Sequence, residues 1–247
     1  MKVTGNSILI TGGATGIGLA LAEKFVSMDN EVAICGRRED KLKEAKGKLP
    51  SIHVRKCDVS REEDRRSLHD WVASDFAGMN VLVNNAGIQR QIDFTKGVTA
   101  SQSDDEIDIN FKAQVNLSAL FIPMLSKQKE AAIVNVSSGL GFVPMAMFPV
   151  YCATKAAMHS FSVSLRQQLR DTSIKLFEVI PPAVYDTDLK EEPSEKNDWS
   201  ISSTQMADAV LTGLEKNEYE ITAGVTKNLI SLSKSDLDQT FMRMNHV

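Results

Sequence analysis

The most constraining feature of this sequence is a glycine-rich turn near its start. A short apolar run, Ser7 to Ile10, leads into Thr11-Gly-Gly-Ala-Thr-Gly-Ile-Gly18, and a helical pattern from Leu19 to Val26 follows without a break. An apolar run, a glycine turn and a helix in this order predict a strand that passes directly into a helix. Such a junction is typical of open α/β sheets with parallel strands, whose ligands lie at the carboxyl ends of the strands.

The chemistry of this turn favours a dinucleotide. Glycines let the backbone approach a pyrophosphate closely, and the free N–H groups and positive dipole end of the following helix complement its charge. The spacing Gly12-x-x-x-Gly16-x-Gly18 differs from the common GxGxxG pattern, and a glycine turn alone is weak evidence. Its position at the first strand-to-helix junction strengthens the case. The predicted cofactor contacts here are Gly12, Thr15, Gly16, Ile17 and Gly18.

The rest of the chain alternates predicted strands with predicted helices. Further strands are expected at Glu31–Cys35, Ile52–Cys57, Val81–Val83, Ala132–Val136, Phe177–Ile180 and Glu218–Thr222. Helical patterns cover Lys41–Leu49, Asp64–Phe76, Asp104–Leu125, the stretch from Tyr151 onward and Thr204–Leu214. With 247 residues, 43% hydrophobic and 24% charged, the chain has the composition of a soluble globular protein. We predict an α/β fold in a single domain over 1–247, a Rossmann-like doubly wound parallel sheet flanked by helices on both faces.

Charge and hydropathy argue against several other classes of protein. The formal net charge is −4 and the basic residues are interspersed with acids, so we expect no nucleic-acid partner and no membrane-surface partner. No stretch approaches the ~20 apolar residues of a membrane span, and the N-terminus lacks the pattern of a signal peptide. We therefore expect a cytoplasmic protein whose partner is a small molecule.

The spacing of cysteines and histidines predicts neither disulfides nor a metal site. The cysteines are odd in number, widely spaced and set in apolar or motif contexts, so we expect them to be buried small hydrophobes; they are Cys35, Cys57 and Cys152. The histidines have no spacing that would gather ligands around a metal; they are His53, His69, His159 and His246. No metal is assigned.

The end of the second predicted strand bears on the choice between two nicotinamide cofactors. A free ribose 2′-hydroxyl usually meets a carboxylate at this strand end, whereas a 2′-phosphate favours arginine. Here Gly36 stands where the acid is expected, and Arg37 and Arg38 follow. Because arginines also cap solvated strand ends, this pattern favours NADP(H) over NAD(H) and leaves the second open.

Two further strand ends carry polar or small residues. Asp58-Val59 closes the third predicted strand, where the carboxylate suits either an adenine amino group or the start of the next helix. Asn84-Asn-Ala-Gly87 closes the fourth. Its asparagines suit hydrogen bonds between strand ends and its small residues admit a ribose, although a plain turn has the same composition.

The second half of the chain supplies candidates for proton transfer. If Tyr151-Cys-Ala-Thr-Lys155 opens a helix, its phenol and amine share one face, and the ammonium draws the tyrosine pKa down from about 10. The same spacing is common in ordinary helices. Ser137-Ser138 ends the fifth predicted strand, and Asn110 lies within a helical pattern, where asparagine suggests a local irregularity or a buried polar role. The apolar stretch Gly139–Pro149 suits either a substrate-pocket wall or filler packing.

Together these motifs resemble those of the short-chain dehydrogenase/reductase family over nearly the whole chain. The matching residues stand in the family's order and at its spacing: Thr11-Gly12-x-x-x-Gly16-x-Gly18, Asn84-Asn85-Ala86-Gly87, Asn110, Ser138 and Tyr151-x-x-x-Lys155. The resemblance implies that Ser138 polarises a carbonyl oxygen, Tyr151 transfers the proton, and Lys155 lowers the tyrosine pKa and holds the nicotinamide ribose. It also implies that Asn110 positions a water that links Lys155 to solvent.

The resemblance extends to the cofactor contacts and weakens after the sixth strand. The further contacts that it implies are Arg37, Asp58, Val59, Asn84, Ala86 and Gly87. Where the family has Pro-Gly and then a threonine at the nicotinamide end, this chain has Pro181-Pro-Ala-Val-Tyr-Asp-Thr187. A contact from Val184 fits this altered segment, whereas the role of Thr187 is in doubt.

The last part of the chain bears on the lid and on assembly. The charged segment 185–200 is predicted to form a substrate lid, with a solvated loop as the alternative. Lys227 to Met244 forms an amphipathic tail in place of the glycine-rich ending of many relatives, which resembles the shorter DltE-like oxidoreductases. We expect a homodimer through the helices that carry Asn110 and Tyr151, with a tetramer as the alternative.

These observations support one functional hypothesis and leave two rivals. The hypothesis is an NADP(H)-dependent oxidoreductase that interconverts a carbonyl and an alcohol by hydride transfer, with Tyr151 as proton donor or acceptor. One rival is a non-catalytic regulatory protein that senses NADP(H) on the same fold. The other is an enzyme that epimerises or dehydrates its substrate by the same hydride machinery, although such relatives are generally longer. The presence of both Tyr151 and Lys155 favours the enzyme, because regulatory relatives tend to lose that pair.

Overall fold

A computed structural model of the protein describes residues 1–97, 100–189 and 196–245. Its strands are β1 (Ser7–Thr11), β2 (Glu31–Gly36), β3 (His53–Lys56), β4 (Val81–Asn84), β5 (Ala131–Val136), β6 (Ile174–Ile180), β7 (Ala183–Val184), β8 (Ser200–Ile201) and β9 (Glu220–Thr222). Seven of them form one parallel sheet in the order β3-β2-β1-β4-β5-β6-β9, and β7 and β8 form a separate parallel pair.

Helices alternate with these strands along the chain. They are α1 (Gly16–Ser27), α2 (Glu39–Lys48), α3 (Glu62–Asp75), α4 (Ala100–Ile107), α5 (Ala113–Leu125), α6 (Pro149–Gln168), α7 (Ser203–Lys216), α8 (Thr226–Ser235) and α9 (Leu237–Asn245). Short 3-10 turns occur at Phe94–Lys96 and Gly139–Gly141. The strand-helix alternation produces parallel pairing, because each helix returns the chain to the same end of the sheet.

The sheet is covered on both faces, so its central strands are mostly apolar. Ile8 and Val134 belong to a core that includes residues of α1 and α7, whereas Leu9 and Ile133 belong to a second core with residues of α3 and α5. Neighbouring residues of one strand point to opposite faces, which accounts for this division. The predicted doubly wound α/β fold with helices on both faces is confirmed.

The long helical pattern predicted over Asp104–Leu125 is interrupted. A π-helical turn, Asp108–Lys112, separates α4 from α5, and Asn110 lies within it, fully buried. Asparagine is a poor helix former, and π turns often mark functional positions. The predictions of a local irregularity and of a buried polar residue are both confirmed at this position.

The amphipathic tail predicted over Lys227–Met244 forms two helices, α8 and α9, that pack against each other. Asp236, between them, has an extended conformation that ends α8. Asn245 at the end of α9 accepts a hydrogen bond from the N–H of Ala146 at 2.5 Å and donates one to the carbonyl oxygen of Pro144 at 3.1 Å. The tail is therefore fastened to the stretch that leads into α6.

Two further predictions can be compared with the structure. The cysteines Cys35, Cys57 and Cys152 are buried with free thiols, as expected of small hydrophobes. Within residues 1–97, 100–189 and 196–245, no helix combines the length and the apolar character needed to cross a membrane.

Alanine substitutions at Gly213 and Gly47 separate the effect of packing between α7 and β9 on stability from the effect of helix propensity. A Cβ at Gly213 would lie 2.6 Å from Cγ1 of Ile221, whereas one at Gly47 in α2 would meet nothing within 4 Å. We expect Gly47→Ala to raise the free energy of unfolding by up to about 1 kcal/mol, since alanine is the better helix former. Gly213→Ala should lower the free energy of unfolding by about 1–3 kcal/mol, because the steric clash with Ile221 destabilises the fold more than the higher helix propensity of alanine stabilises it. Urea unfolding measures both, and equal stabilisation of the two variants would contradict the packing.

Candidate active site

The predicted site residues lie along one edge of the sheet, where four neighbouring strands end. The glycine turn follows β1, Asn85–Gly87 follows β4, Ser137 and Ser138 follow β5, and Pro181 follows β6. Because all the strands are parallel, their carboxyl ends meet at the same edge although they come from distant parts of the chain. This edge is the candidate active site.

The glycine turn exposes backbone N–H groups at the start of a helix. Gly12 and Gly16 have φ angles of 63° and 54°, which other residues rarely adopt. A Cβ at Gly12 would lie 2.9 Å from Cα of Ala86, so the turn passes directly against the segment after β4. In α1, which is described in full, the N-cap residue Thr15 makes no side-chain capping bond and the first turn has no acidic residue. This donor set suits the pyrophosphate of a dinucleotide.

Two residues outside the predicted contact set, Thr11 and Asn85, hold the turn in place. Oγ1 of Thr11 accepts hydrogen bonds from the N–H groups of Asn85 and Ala86 at 3.0 and 3.1 Å. The Asn85 side chain donates to the carbonyl oxygens of Thr11 and Gly12 at 3.0 and 3.1 Å. Thr11 and Asn85 belong to the two sequence motifs Thr11–Gly18 and Asn84–Gly87, and this was the signal in the sequence that could have indicated their role.

Asn84 is not placed as a cofactor contact through its side chain. It is fully buried, and its Nδ2 donates to Oγ of Ser118 at 3.1 Å and to Oδ1 of Asn135 at 3.0 Å. Asn135 in turn donates to Oγ of Ser162 at 3.0 Å. The side chain of Asn84 therefore ties β4 to β5 and to the helix layer, which is the strand-tying role expected of the asparagines in this motif.

Asp58 and Val59 follow β3. The Asp58 carboxylate accepts hydrogen bonds from the N–H and the hydroxyl of Ser60 at 3.0 and 2.7 Å, and the Asp58 N–H donates to Asp64 at 2.7 Å. Asp58 thus shapes the turn before α3, whose N-cap is Arg61. A contact of Asp58 and Val59 with adenine stays a prediction.

Three of the four predicted catalytic side chains, those of Ser138, Tyr151 and Lys155, converge at the end of β5. Tyr151 and Lys155 lie in the first turns of α6 and are 5% and 2% exposed. Nζ of Lys155 lies 5.6 Å from the centroid of the Tyr151 ring and donates to the carbonyl oxygen of Val136 at 2.8 Å. Ser138, also buried, interacts with the Tyr151 phenol, and its Oγ accepts a hydrogen bond from the N–H of Leu140 at 3.1 Å.

Burial sets the protonation of this group. It raises the pKa of the Tyr151 phenol above the ordinary value of 10.0, and the hydrogen bond with Ser138 offsets this only in part. Burial also lowers the pKa of the Lys155 ammonium from 10.5 to about 8, against the opposing effect of Glu178. The expectation of a lowered tyrosine pKa is therefore wrong for the protein alone, because loss of hydration outweighs the neighbouring donors. At neutral pH Tyr151 is a phenol, and most Lys155 side chains are protonated.

Asn110 lies beside the same group. Its Oδ1 accepts a hydrogen bond from the N–H of Ile88 and its Nδ2 donates to the carbonyl oxygen of Ile88, both at 2.8 Å. A Cβ at Gly87 would lie 3.3 Å from Oδ1 of Asn110 and 3.8 Å from Nζ of Lys155. The π-helical turn, the segment after β4 and α6 therefore meet at Gly87, where a side chain would crowd both groups.

The two arginines after β2 differ in their contacts. Arg38 donates to Oγ1 of Thr15 at 3.1 Å and forms an ion pair with Asp188 at 3.0 Å. Arg37 is exposed, and among the described residues no hydrogen bond or ion pair engages it. The sequence singled out Arg37 and missed the contact of Arg38 with the glycine turn.

The segment after β6 reaches the glycine turn in spite of its altered Pro181-Pro182 start. A Cβ at Gly16 would lie 3.0 Å from the methyl group of Thr187, and Val184 is buried in β7. Thr187, whose role the sequence left in doubt, therefore lies against the glycine turn. In the predicted lid 185–200, Leu189 accepts a hydrogen bond from the N–H of Gln89 at 2.9 Å. Residues 190–195 of that lid lie outside the described residues.

An apolar surface adjoins the Tyr151 phenol. Phe148, Tyr151 and Cys152 form a small buried cluster, against which Leu140, Met145 and Leu189 pack. Part of the stretch Gly139–Pro149 thus lies where a substrate-pocket wall is expected. Phe142 does not belong to this surface, because its ring packs on that of His159 with centroids 4.4 Å apart.

The structure also assembles a group that the spacing of the histidines did not reveal. Glu178 on β6 contacts both Ser137 and His159. A ring nitrogen of His159 and one carboxylate oxygen each of Glu178 and Glu220 lie within 4.8 Å of one another. These residues come from α6, β6 and β9, so their meeting depends on how the helix packs on the sheet.

Comparison with known proteins identifies relatives over the full length. Residues 6–198 match the family model for short chain dehydrogenases. The uncharacterized oxidoreductase DltE of Bacillus subtilis is 50% identical over 249 residues, which cover 99% of this chain and 98% of that protein. The fit is therefore not confined to the glycine turn and the Tyr151–Lys155 pair.

Solved structures show the same fold. A short chain dehydrogenase from Burkholderia cenocepacia in complex with NADP superposes with a TM-score of 0.85 at 22% identity, covering 99% of each chain. One from Burkholderia phymatum in complex with NAD has a TM-score of 0.87 at 19% identity, covering 97% of this chain and 96% of that chain. The shared architecture accompanies either cofactor, so it does not choose between them.

The buried ammonium of Lys155 has a measurable effect on stability. Because its pKa falls from 10.5 to about 8 on folding, the unfolded chain binds more protons between these values, and this contribution rises with pH across the window. Lys155→Met removes the buried charge. We expect it to raise the free energy of unfolding by about 1–2 kcal/mol at pH 7, after allowing for the lost hydrogen bond to Val136. The gain should shrink between pH 8 and 10.5, where the wild-type side chain becomes neutral in the folded protein.

Urea unfolding at pH 7 and pH 10 measures this gain. Lys127→Met, at an exposed lysine in the turn after α5, is the matched control and should show no such pH dependence. A gain for Lys155→Met that is larger at pH 10 than at pH 7 would contradict the assignment of the burial cost to this ammonium.

Proposed function

The chain belongs to the short-chain dehydrogenase family, and from this premise we propose that it interconverts a carbonyl and an alcohol by NADP(H)-dependent hydride transfer. The observation that carries the proposal is the buried Tyr151–Lys155 pair beside Ser138 at the carboxyl edge of the sheet. A hydroxyl, a phenol and an ammonium in one low-dielectric place are suited to stabilising and protonating a developing alkoxide.

The edge of the sheet fits a nicotinamide dinucleotide. Gly12 and Gly16 place no side chain at two positions of the turn, and the N–H groups at the start of α1 suit a pyrophosphate. When bound, the cofactor supplies or accepts the hydride. The proposed contacts are Gly12, Thr15, Gly16, Ile17, Gly18, Asp58, Val59, Ala86, Gly87, Tyr151, Lys155, Val184 and, from its position against Gly16, Thr187.

Tyr151 is the proposed proton donor in reduction and acceptor in oxidation. Since burial raises its pKa, the phenol oxygen holds its proton at neutral pH and is ready to give it to an alkoxide. Ser138 interacts with this phenol and is placed to polarise the same carbonyl oxygen. The apolar surface formed by Phe148 and Cys152 excludes water from that side.

Lys155 and Asn110 support the transfer. The ammonium of Lys155, fixed by the carbonyl oxygen of Val136, stabilises the phenolate that remains after Tyr151 has given its proton. Asn110 lies next to Lys155 across Gly87. We assign to Asn110 the placement of a water through which the proton returns from solvent.

The choice of NADP(H) rests on charge. Arg37 is exposed at the end of β2 with its guanidinium available, which suits the 2′-phosphate of NADP(H). Arg38 adds a second positive charge beside Thr15, although Asp188 neutralises part of it. NAD(H) is the less favoured alternative.

The proposal includes the setting in which the reaction occurs. The substrate is a small molecule with a carbonyl or alcohol group, and the segment 185–200 acts as its lid. The protein is a homodimer through the helices near Asn110 and Tyr151, and it works in the cytoplasm. Ile107 and Val163 place exposed apolar side chains, 43% and 44% accessible, on the outer surface of these helices.

Tyr151→Phe tests the catalytic assignment. We expect turnover to fall by about 10²–10⁴-fold, because the proton donor is lost. NADPH binding, followed by fluorescence, should change little. Tyr219→Phe, at a half-exposed tyrosine that stacks on Phe177, is the matched control and should retain turnover. Retained turnover in Tyr151→Phe would rule out the assigned role.

A substrate screen distinguishes the enzyme from a cofactor sensor. Nicotinamide absorbance at 340 nm, followed over a chemically broad set of carbonyls and alcohols, reports any turnover by the wild-type protein. Tight NADPH binding with no turnover over the whole set would favour the sensor.

Arg37→Ala tests the cofactor assignment. A lost charge-assisted hydrogen bond to the 2′-phosphate is worth about 1.5–3 kcal/mol, so the Kd for NADPH should rise roughly 10- to 150-fold. The Kd for NADH should change little, because NADH has no 2′-phosphate. Arg170→Ala, at an exposed arginine paired with Asp171, is the control. Equal weakening of both cofactors would contradict the assignment, and a larger selective effect from Arg38→Ala would transfer it to that residue.

A further inference from the structure

A buried carboxylate that the proposed reaction does not use lies directly behind the site. Glu178 on β6 is fully buried. Its Oε1 accepts a hydrogen bond from Oγ of Ser137 at 2.5 Å, and its Oε2 lies 2.8 Å from Nδ1 of His159. One oxygen is thus held by the residue next to Ser138, and the other by the helix that carries Tyr151 and Lys155.

His159 connects this carboxylate to the surface. Its side chain is 29% exposed, compared with 0% for Glu178. It stands four residues after Lys155 and eight after Tyr151, so the three side chains share one face of α6. The face that carries the proposed chemistry therefore ends in a titratable group that solvent reaches.

The charged groups that face His159 come from three elements. Glu178 on β6 and Glu220 on β9 favour the imidazolium, and Arg166 on α6 opposes it. The ring of Phe142 covers a further side of the imidazole. The hydrogen bond to Glu178 has the largest effect, and it raises the pKa of His159.

Lys155 has Glu178 as its counter-charge. Its Nζ bonds the carbonyl oxygen of Val136, the residue before Ser137, so the ammonium and the carboxylate flank the same strand end. In the part of the chain that the structure describes, no carboxylate oxygen forms an ion pair with this Nζ within 4.0 Å. Glu178 acts on it through space, and its effect opposes that of burial.

We propose that Glu178 is a positioning residue that keeps Lys155 charged, and that His159 controls this effect with pH. When His159 is neutral, the negative charge of Glu178 acts in full on Lys155. When His159 is protonated, the imidazolium neutralises much of that charge. The hydroxyl of Ser137 holds the carboxylate in place. This role deepens the proposed function, since it rests on the assignment of Lys155 to the catalytic pair.

The sign of the pH effect follows from this arrangement. As the pH rises through the titration of His159, the imidazolium loses its proton and the counter-charge at Lys155 increases. The ammonium itself loses its proton around its own pKa of about 8. The loss of the His159 proton therefore opposes the loss of the Lys155 proton. It keeps Lys155 charged to a higher pH than a permanently charged partner of Glu178 would.

NMR of the full-length protein labelled with [13Cε]lysine measures the titration of Lys155 without any turnover. The resonance of Lys155 is the one that disappears in Lys155→Arg. In the wild-type protein we expect a large chemical-shift inflection from Lys155 and a smaller one at the pH where His159 titrates. The imidazole resonances of His159 give that pH independently.

Three variants separate the contributions. Glu178→Gln should move the large inflection to lower pH by about 0.5–1 unit and remove the small one. His159→Asn keeps a neutral donor near the Nδ1 position, so it should remove the small inflection and leave the large one at its place or slightly higher. Glu220→Gln, at an exposed carboxylate that also lies near His159, is the control and should move the large inflection by less than about 0.2 unit.

The same shift should appear in catalysis. With a substrate found in the screen, the high-pH limb of kcat/KM should move down in Glu178→Gln by the amount seen by NMR. Glu178→Asp should restore part of the shift. An unmoved Lys155 inflection in folded Glu178→Gln overturns the proposal; if that variant fails to fold, a small inflection that persists in His159→Asn overturns it. A protein without turnover refutes the proposed reaction, while the NMR titration still decides the role of Glu178.

Discussion

The burial of the Lys155 ammonium is the constraint on which the site depends. A cation removed from water is costly unless acceptors and negative charge surround it. Here the carbonyl oxygen of Val136 accepts its hydrogen bond, and the charge of Glu178 favours the ammonium. Val136 is the last residue of β5 and Glu178 lies in the neighbouring strand β6, and α6 packs on both strands. The charged form of Lys155 is therefore stable only while α6, β5 and β6 keep their relative positions.

The polar groups at the end of each strand along this edge also need hydrogen-bond partners. Buried backbone and side-chain polar groups are costly without partners, and this edge pairs many of them between segments far apart in sequence. Thr11 and Asn85 join the turn after β1 to the segment after β4, and Asn84 and Asn135 join β4 to β5. These bonds fix the positions of the glycine turn and the neighbouring strand ends, and positions fixed before binding lower the entropy that a ligand must lose.

Local patterns were enough to predict the main elements of the fold. Short apolar runs predicted β1, β4 and β5, and a long helical pattern predicted α6. In each segment the periodicity and the neighbouring turn residues favour the same secondary structure. The break at Asn110 could also be anticipated from helix propensity. The direction of the Tyr151 pKa shift and the contact between Glu178 and His159 could not, since each depends on which atoms surround a side chain in three dimensions. The contact of Arg38 with Thr15 was missed for the same reason.

By itself the sequence determined the α/β class, the order of strands and helices, and the family, because glycines, apolar runs and the Tyr151–Lys155 spacing are local features. Only the tertiary structure decided how those features act together. Burial reversed the expected direction of the Tyr151 pKa, and strand register placed Glu178 beside Ser137 and His159. The glycine turn carries predicted cofactor contacts, and α6 carries the residues that are predicted to transfer the proton. Their meeting is a consequence of parallel strands that end at one edge, which no local segment contains.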